Sequence, residues 1–170
     1  VKLGNNALLA TVSALGVDLG DNLFGDALAS PCICDPDEYE EDDGVMQGAG
    51  LTAGTLQVRN FCDDDTDWIT LTAEAGGIYT ITTLSWGQRA DTFVTLFDVD
   101  GVTVLTANDD SEDTADYSSR ILWVAPADGV YYLRVENRAG FSGCFTTYDI
   151  WLEASISPDY KVYLPLVLQE

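Results

Sequence analysis

A chain of 170 residues suits one domain, or one domain with extensions. Seven Lys and Arg stand against 29 Asp and Glu, a net charge of −22, which argues against nucleic acid and anionic membrane surfaces as partners: no basic patch is present to neutralise phosphates. Hydrophobic residues make up 46%, enough for a sizeable core, and the absence of His excludes Ser-His-Asp and Cys-His catalysis, His-ligated zinc and histidine pH switching.

The chain opens at Val1, as expected of a processed or excised chain. No basic segment followed by an apolar run and an A-x-A site is present, so any signal peptide is already gone. No stretch reaches the ~18 uninterrupted apolar residues that span a bilayer. Residues 1–31 hold only the acids Asp18, Asp21 and Asp26 and form an apolar N-terminal arm. Asn5-Asn6 reads as a cap for a short helix with Leu8, Val12 and Leu15 on one face; Gly4, Gly16 and Gly20 favour a strand or irregular chain instead, and that is the expectation.

Residues 32–154 alternate strand patterns with turn signals. The expected strands are Thr55–Phe61, Asp67–Ala73, Ile78–Leu84, Thr92–Phe97, Val102–Ala107, Ser119–Val124, Val130–Glu136 and Phe145–Glu153. Turns fall at Gly76-Gly77, Asp98–Gly101 and Pro126–Gly129. Eight short β-branched and aromatic runs with turns every ~8–12 residues predict an all-β fold, an antiparallel β-sandwich of jelly-roll type. Residues 155–170 form a C-terminal arm whose apolar end is Lys161–Leu168.

Four cysteines, Cys32, Cys34, Cys62 and Cys144, allow three connectivities. Cys32-x-Cys34 lacks the spacing of a redox or zinc site. Cys62 ends one strand-like run and Cys144 opens another, so a Cys62–Cys144 staple is expected; Cys32–Cys34 would close only a small, strained ring. An even cysteine count together with the acid load points to a secreted, extracellular or cell-surface location.

The acids are concentrated. Residues 35–43, 63–67 and 109–116 hold 16 of the 29, all at or between strand ends. Packed carboxylates repel, and a hard divalent cation with six to eight oxygen ligands neutralises them; calcium suits flexible loop carboxylates better than magnesium. A solvated acidic surface is the competing reading. Neither the helix-flanked twelve-residue calcium loop nor a glycine-rich calcium repeat is present.

Asp37-Glu38-Tyr39-Glu40-Glu41-Asp42-Asp43 resembles the opening D-x-Y-E-P-[ND]-D of the bacterial pre-peptidase C-terminal domain. Further motifs match in order: Asp65-Thr66-Asp67-Trp68, Ala75–Ile81, Ala90–Gly101, Asn108-Asp109-Asp110, Ser119-Arg120-Ile121 and Ala125–Val135. The resemblance covers about residues 35–154 and implies a secreted, non-catalytic sandwich that commonly accompanies peptidases. By likeness to the related collagen-binding domains it implies calcium held by Glu38, Glu40, Asp42 and Asp43 with Asp65 and Asp67. Glu41 departs from the family's Pro, and Asp63-Asp64 crowd the aspartate pair. A second metal site is conceivable at Asp98, Asp100, Asn108, Asp109 and Asp110 if the D-x-D-G turn faces the N-D-D run; the alternative is ordinary Asx turn chemistry.

Trp68, Trp123 and Trp151 lie in strand patterns and are assigned to the core. Trp86, in Ser85-Trp86-Gly87-Gln88-Arg89, is the candidate exposed contact residue. Tyr131-Tyr132 places one ring on each face of a strand. Catalysis has thin support: no serine has a histidine base, and Lys2 and Lys161 are both terminal. The functional expectation is a secreted, non-enzymatic structural subunit, stabilised by calcium. It would self-assemble into a filament by exchange of terminal arms, with itself as partner. The alternative is a monomeric protein- or polysaccharide-binding module of a secreted hydrolase.

Overall fold

The computed structural model describes residues 33–62, 66–111 and 117–156. Expectations for the arm at 1–31, for Cys32, for Asp63–Asp65 and for the apolar end at 161–168 therefore lie outside the described residues. Nine strands are described: β1 (Ala49–Gly50), β2 (Leu56–Asn60), β3 (Thr66–Ala73), β4 (Gly77–Ser85), β5 (Thr92–Phe97), β6 (Val104–Asn108), β7 (Arg120–Val124), β8 (Gly129–Asn137) and β9 (Thr147–Ile156). They form a five-stranded sheet in the order β1-β3-β8-β5-β6 and a four-stranded sheet in the order β2-β9-β4-β7. Every pairing is antiparallel except the short parallel bridge of β1 to β3. The fold is the expected all-β sandwich.

Period-2 alternation builds the core between the sheets. Ile69, Leu71 and Ala73 of β3, Tyr131, Leu133 and Val135 of β8, and Val94 and Leu96 of β5 line one inner face. Tyr79 and Ile81 of β4, Ile121 of β7, and Tyr148, Ile150 and Leu152 of β9 line the other. Trp123 joins them, edge-on to Tyr131 at 4.6 Å, so its assignment to the core holds. Trp68 and Trp151 occupy the alternate positions of β3 and β9, are only half-buried, and face outward. Tyr131 packs inside while Tyr132 takes the opposite face, as the strand period requires.

Two strands start later than their composition suggests. The run from Val102 enters β6 only at Val104, because the Asp98 N–H donates to the Thr103 carbonyl at 2.8 Å and closes a tight turn before it. Phe145 lies outside β9 because its φ of 67° is left-handed, a conformation no strand residue adopts.

β2 departs from the apolar-inward rule. Gln57 and Arg59 point into the sandwich, while Leu56 and Val58 are 54% and 53% exposed on the outside. The disulfide beside this strand also differs from expectation: Cys62 is bonded to Cys34, with 5.6 Å between Cα atoms. That excludes both the Cys62–Cys144 staple and the Cys32–Cys34 ring. The reason is the path of the N-terminal linker. Asp37 accepts the Asn60 N–H at 2.7 Å, and the Asn60 side chain donates to the Asp35 carbonyl at 3.2 Å, so residues 35–37 run against the end of β2 and bring Cys34 to Cys62. Cys144 is close, since Gly143 donates to the Phe61 carbonyl at 2.7 Å, and it is disulfide-bonded, but not to Cys62.

Two stability predictions follow from this packing. Leu133→Ala removes a fully buried side chain from the central strand of the larger sheet and is expected to cost about 2–5 kcal/mol, read as a lower denaturant midpoint. Replacing Cys34 and Cys62 together by Ala opens a 28-residue loop and is expected to cost about 3–4 kcal/mol in the chain-entropy treatment. Peptide mapping without reduction should recover the Cys34 and Cys62 peptides joined.

Candidate metal centre

The linker that reaches Cys34 continues to the start of β3. Asp37 caps its own turn by accepting the Tyr39 N–H at 2.9 Å, and the Trp68 N–H donates to the Asp42 carbonyl at 3.0 Å. Glu40 and Asp42 are thereby held beside Asp67, the second residue of β3. Asp67 shares the inward face of β3 with Ile69, so its carboxyl enters the sandwich. Glu40, Asp42 and Asp67 each bring a carboxyl oxygen within 4.8 Å of the other two. Asp42 and Asp67 are fully buried and Glu40 is half-buried. The Glu40–Glu41 peptide is cis.

Arg59 of β2 enters the same space. Its Nη1 pairs with Asp42 Oδ2, its Nε donates to Gln57 Oε1 at 3.0 Å, and its guanidinium lies 4.3 Å from the Tyr39 ring centre. On the other side the Tyr148 hydroxyl donates to Asp67 Oδ2. The cluster is still not satisfied. Among the described residues, Asp42 Oδ1, Asp67 Oδ1 and Arg59 Nη2 are buried without a hydrogen-bond partner. An unpaired buried polar atom costs ~1–3 kcal/mol, more when charged. Three carboxylates against one guanidinium leave −3 + 1 = −2 if all are ionised.

Burial pushes the Asp67 carboxyl up to about 9; the Tyr148 hydrogen bond opposes this, and the Asp42 carboxylate adds to it. Burial also raises Asp42, against the pull of Arg59. The phenol of Tyr148 is raised well above its ordinary value by burial and by Asp67. An all-oxygen donor set with two orphaned buried oxygens fits a hard divalent cation such as calcium, which would supply both charge and a partner.

Of the other expected ligands, Glu38 and Asp43 are exposed and lie outside this cluster, and Asp65 lies outside the described residues. The second metal site is corrected. Asp98 and Asp100 sit in the turn between β5 and β6, whereas Asn108 closes the far end of β6, opposite Val94. The hairpin keeps the two groups a strand length apart. Asp100 instead holds its own turn, accepting the Val102 and Thr103 N–H groups at 2.9 and 2.8 Å and the Thr103 hydroxyl at 2.7 Å. Those bonds lower its pKa, with the Thr103 hydroxyl the foremost cause.

Asp109 and Asp110 meet Asp91 instead, their carboxyl oxygens within 4.8 Å of one another, with Arg138 Nε 3.5 Å from Asp109. Asp91 was missed. The available signal was the antiparallel hairpin itself, which sets the start of β5 beside the end of β6. Trp86 is 65% exposed, as expected of the contact residue, and its Nε1 donates to Asp149 Oδ2 at 2.6 Å.

Residues 65–137 match the family model of the bacterial pre-peptidase C-terminal domain. Among solved structures, the pre-peptidase C-terminal domain of collagenase from Bacillus anthracis is 18% identical, with a TM-score of 0.47 over 62% of this chain and 91% of that one. PliG of Aeromonas hydrophila, a periplasmic inhibitor of g-type lysozyme, is 17% identical, with a TM-score of 0.48 over 64% of this chain and 96% of that one. No curated protein matches the chain. The resemblance carried by the ordered motifs thus has its counterpart in the family-model match over residues 65–137.

Proposed function

We propose that the chain is a secreted, non-catalytic sandwich module whose linker is locked to the sheets by one calcium ion. Glu40, Asp42 and Asp67 would hold the ion. The observation that carries this reading is the pair of buried oxygens, Asp42 Oδ1 and Asp67 Oδ1, that have no hydrogen-bond partner among the described residues, in a cluster that Arg59 enters as a cation. The Cys34–Cys62 disulfide supports an oxidising compartment. The lack of His in these 170 residues supports a non-catalytic role.

An ion bound only by the folded state stabilises it by mass action. At calcium a hundredfold above the dissociation constant the gain is about 2.7 kcal/mol, or roughly 5–10 °C in melting temperature for a chain of this size. Thermal unfolding in 10 mM calcium against EDTA should show that rise. Asp67→Asn and Asp42→Asn, nearly isosteric changes that each remove a charged ligand, should abolish most of it. Equal melting temperatures in calcium and EDTA for the unsubstituted chain would end the calcium reading.

A second reading, assembly through the chain ends, has one observation in its favour. β7 is an edge strand of the four-stranded sheet with Leu122 and Val124 exposed on it. An edge strand offers main-chain groups to an added strand from a neighbouring copy. Light scattering of the full chain in calcium should then give a mass above 18.4 kDa that grows with concentration. A constant 18.4 kDa would rule out assembly and leave the module reading intact.

A further inference from the structure

On the outside of the four-stranded sheet, away from the metal centre, lies a groove of about 530 Å³. Leu56, Leu84, Trp86, Asp149, Trp151 and Glu153 line it. The volume is within the range of small-ligand sites. Asp149, Trp151 and Glu153 follow one another at every second position of β9, so carboxylate, indole and carboxylate stand in a row on one face. Trp86 forms a second aromatic wall and is fixed by its bond to Asp149. Among the described residues no Lys or Arg pairs with Asp149 or Glu153.

We propose that this groove binds a segment of non-acidic polysaccharide, bearing hydroxyl or amine groups. The proposal rests on the non-catalytic module reading above and adds a ligand class to it. Charge complementarity selects the occupant. The two carboxylates are acceptors when ionised, so the ligand must bring donors. The chain's net charge of −22 opposes uronic or sulfated sugars. A purely apolar partner would desolvate both carboxylates without return. A pyranose ring has an apolar C–H face for the indoles and hydroxyl donors around its rim, which matches the alternation along β9.

An extended peptide fits less well. β9 is paired along this stretch with β2 on one side, Leu56 opposite Trp151, and with β4 on the other, Thr82 opposite Trp151. Its main-chain groups are therefore committed to the sheet, and a peptide laid on this face would find no ladder to join.

The test is isothermal titration calorimetry on the full chain in calcium with four probes: cellohexaose, the N-acetylglucosamine hexamer, the glucosamine hexamer and hexalysine. At least one hexasaccharide should bind saturably. Trp86→Ala and Trp151→Ala should each weaken it tenfold or more, and Asp149→Asn should weaken it as well. Trp86 is exposed, so its removal leaves the fold intact; Trp151→Phe, which keeps an aromatic face, should retain part of the affinity. No hexasaccharide binding, binding indifferent to both tryptophans, or binding of hexalysine alone would overturn the proposal. The calcium-dependent melting shift, measured on the same sample, stands or falls separately and tells failure of the groove from failure of the metal centre.

Discussion

The structure turns on the burial of one guanidinium among carboxylates. Arg59 is almost wholly enclosed, and it faces Asp42 with Asp67 close behind. Removing a charge from water costs several kcal/mol, recovered only by close, well-satisfied partners. That requirement fixes the register of β2: Gln57 and Arg59 must point inward, because Gln57 braces Arg59 and Arg59 meets Asp42. A slip of one residue would put Leu56 and Val58 inside and leave the acids without a cation. It also fixes the linker, since Asp42 must be carried to the start of β3 before the chain enters β1.

The outer surface follows from the same constraint. Strand geometry allows only two faces, so turning the polar residues of β2 inward turns Leu56 and Val58 outward. Leu56 lies opposite Trp151 in the β2–β9 ladder, and this pair forms part of the groove that Trp86 walls. The apolar outer face is therefore the complement of a polar interior at one edge of the sandwich.

Much of the sandwich was legible because its signal is local. Alternation of Ile69, Leu71 and Ala73, or of Tyr148, Ile150 and Leu152, declares an inward face without knowledge of the partner strand. The carboxylate cluster was legible in part through motif order, which points to Glu40, Asp42 and Asp67 but also to Glu38 and Asp43, whose side chains are exposed. What sequence could not rank was pairing that depends on the path of a loop. Cys34 reaches Cys62 because Asp35 and Asp37 bond Asn60, a contact between residues 23 to 25 apart. Asp91 joins Asp109 and Asp110, and Asp98 does not, because a hairpin brings together residues equidistant from its turn. The role of Arg59 is not legible in the sequence because an arginine within a strand ordinarily reads as a solvent-facing residue, and its partner lies 17 positions away.

The carboxylate cluster and the groove share β9 and still remain separable. Tyr148 points inward and bonds Asp67; Asp149, the next residue, points outward and bonds Trp86. Successive side chains of a strand occupy opposite faces, so a substitution at Asp149 or Trp86 leaves every partner of Asp67 and Arg59 in place. The converse holds less strictly. β2 is an edge strand of its sheet, and the Arg59 network, the Cys34–Cys62 bond and the Asn60 contacts all hold it from the linker side. Weakening that network loosens the strand that presents Leu56, whereas weakening the groove takes nothing from the network. Coupling between the two would therefore run mainly from the buried charges to the outer face.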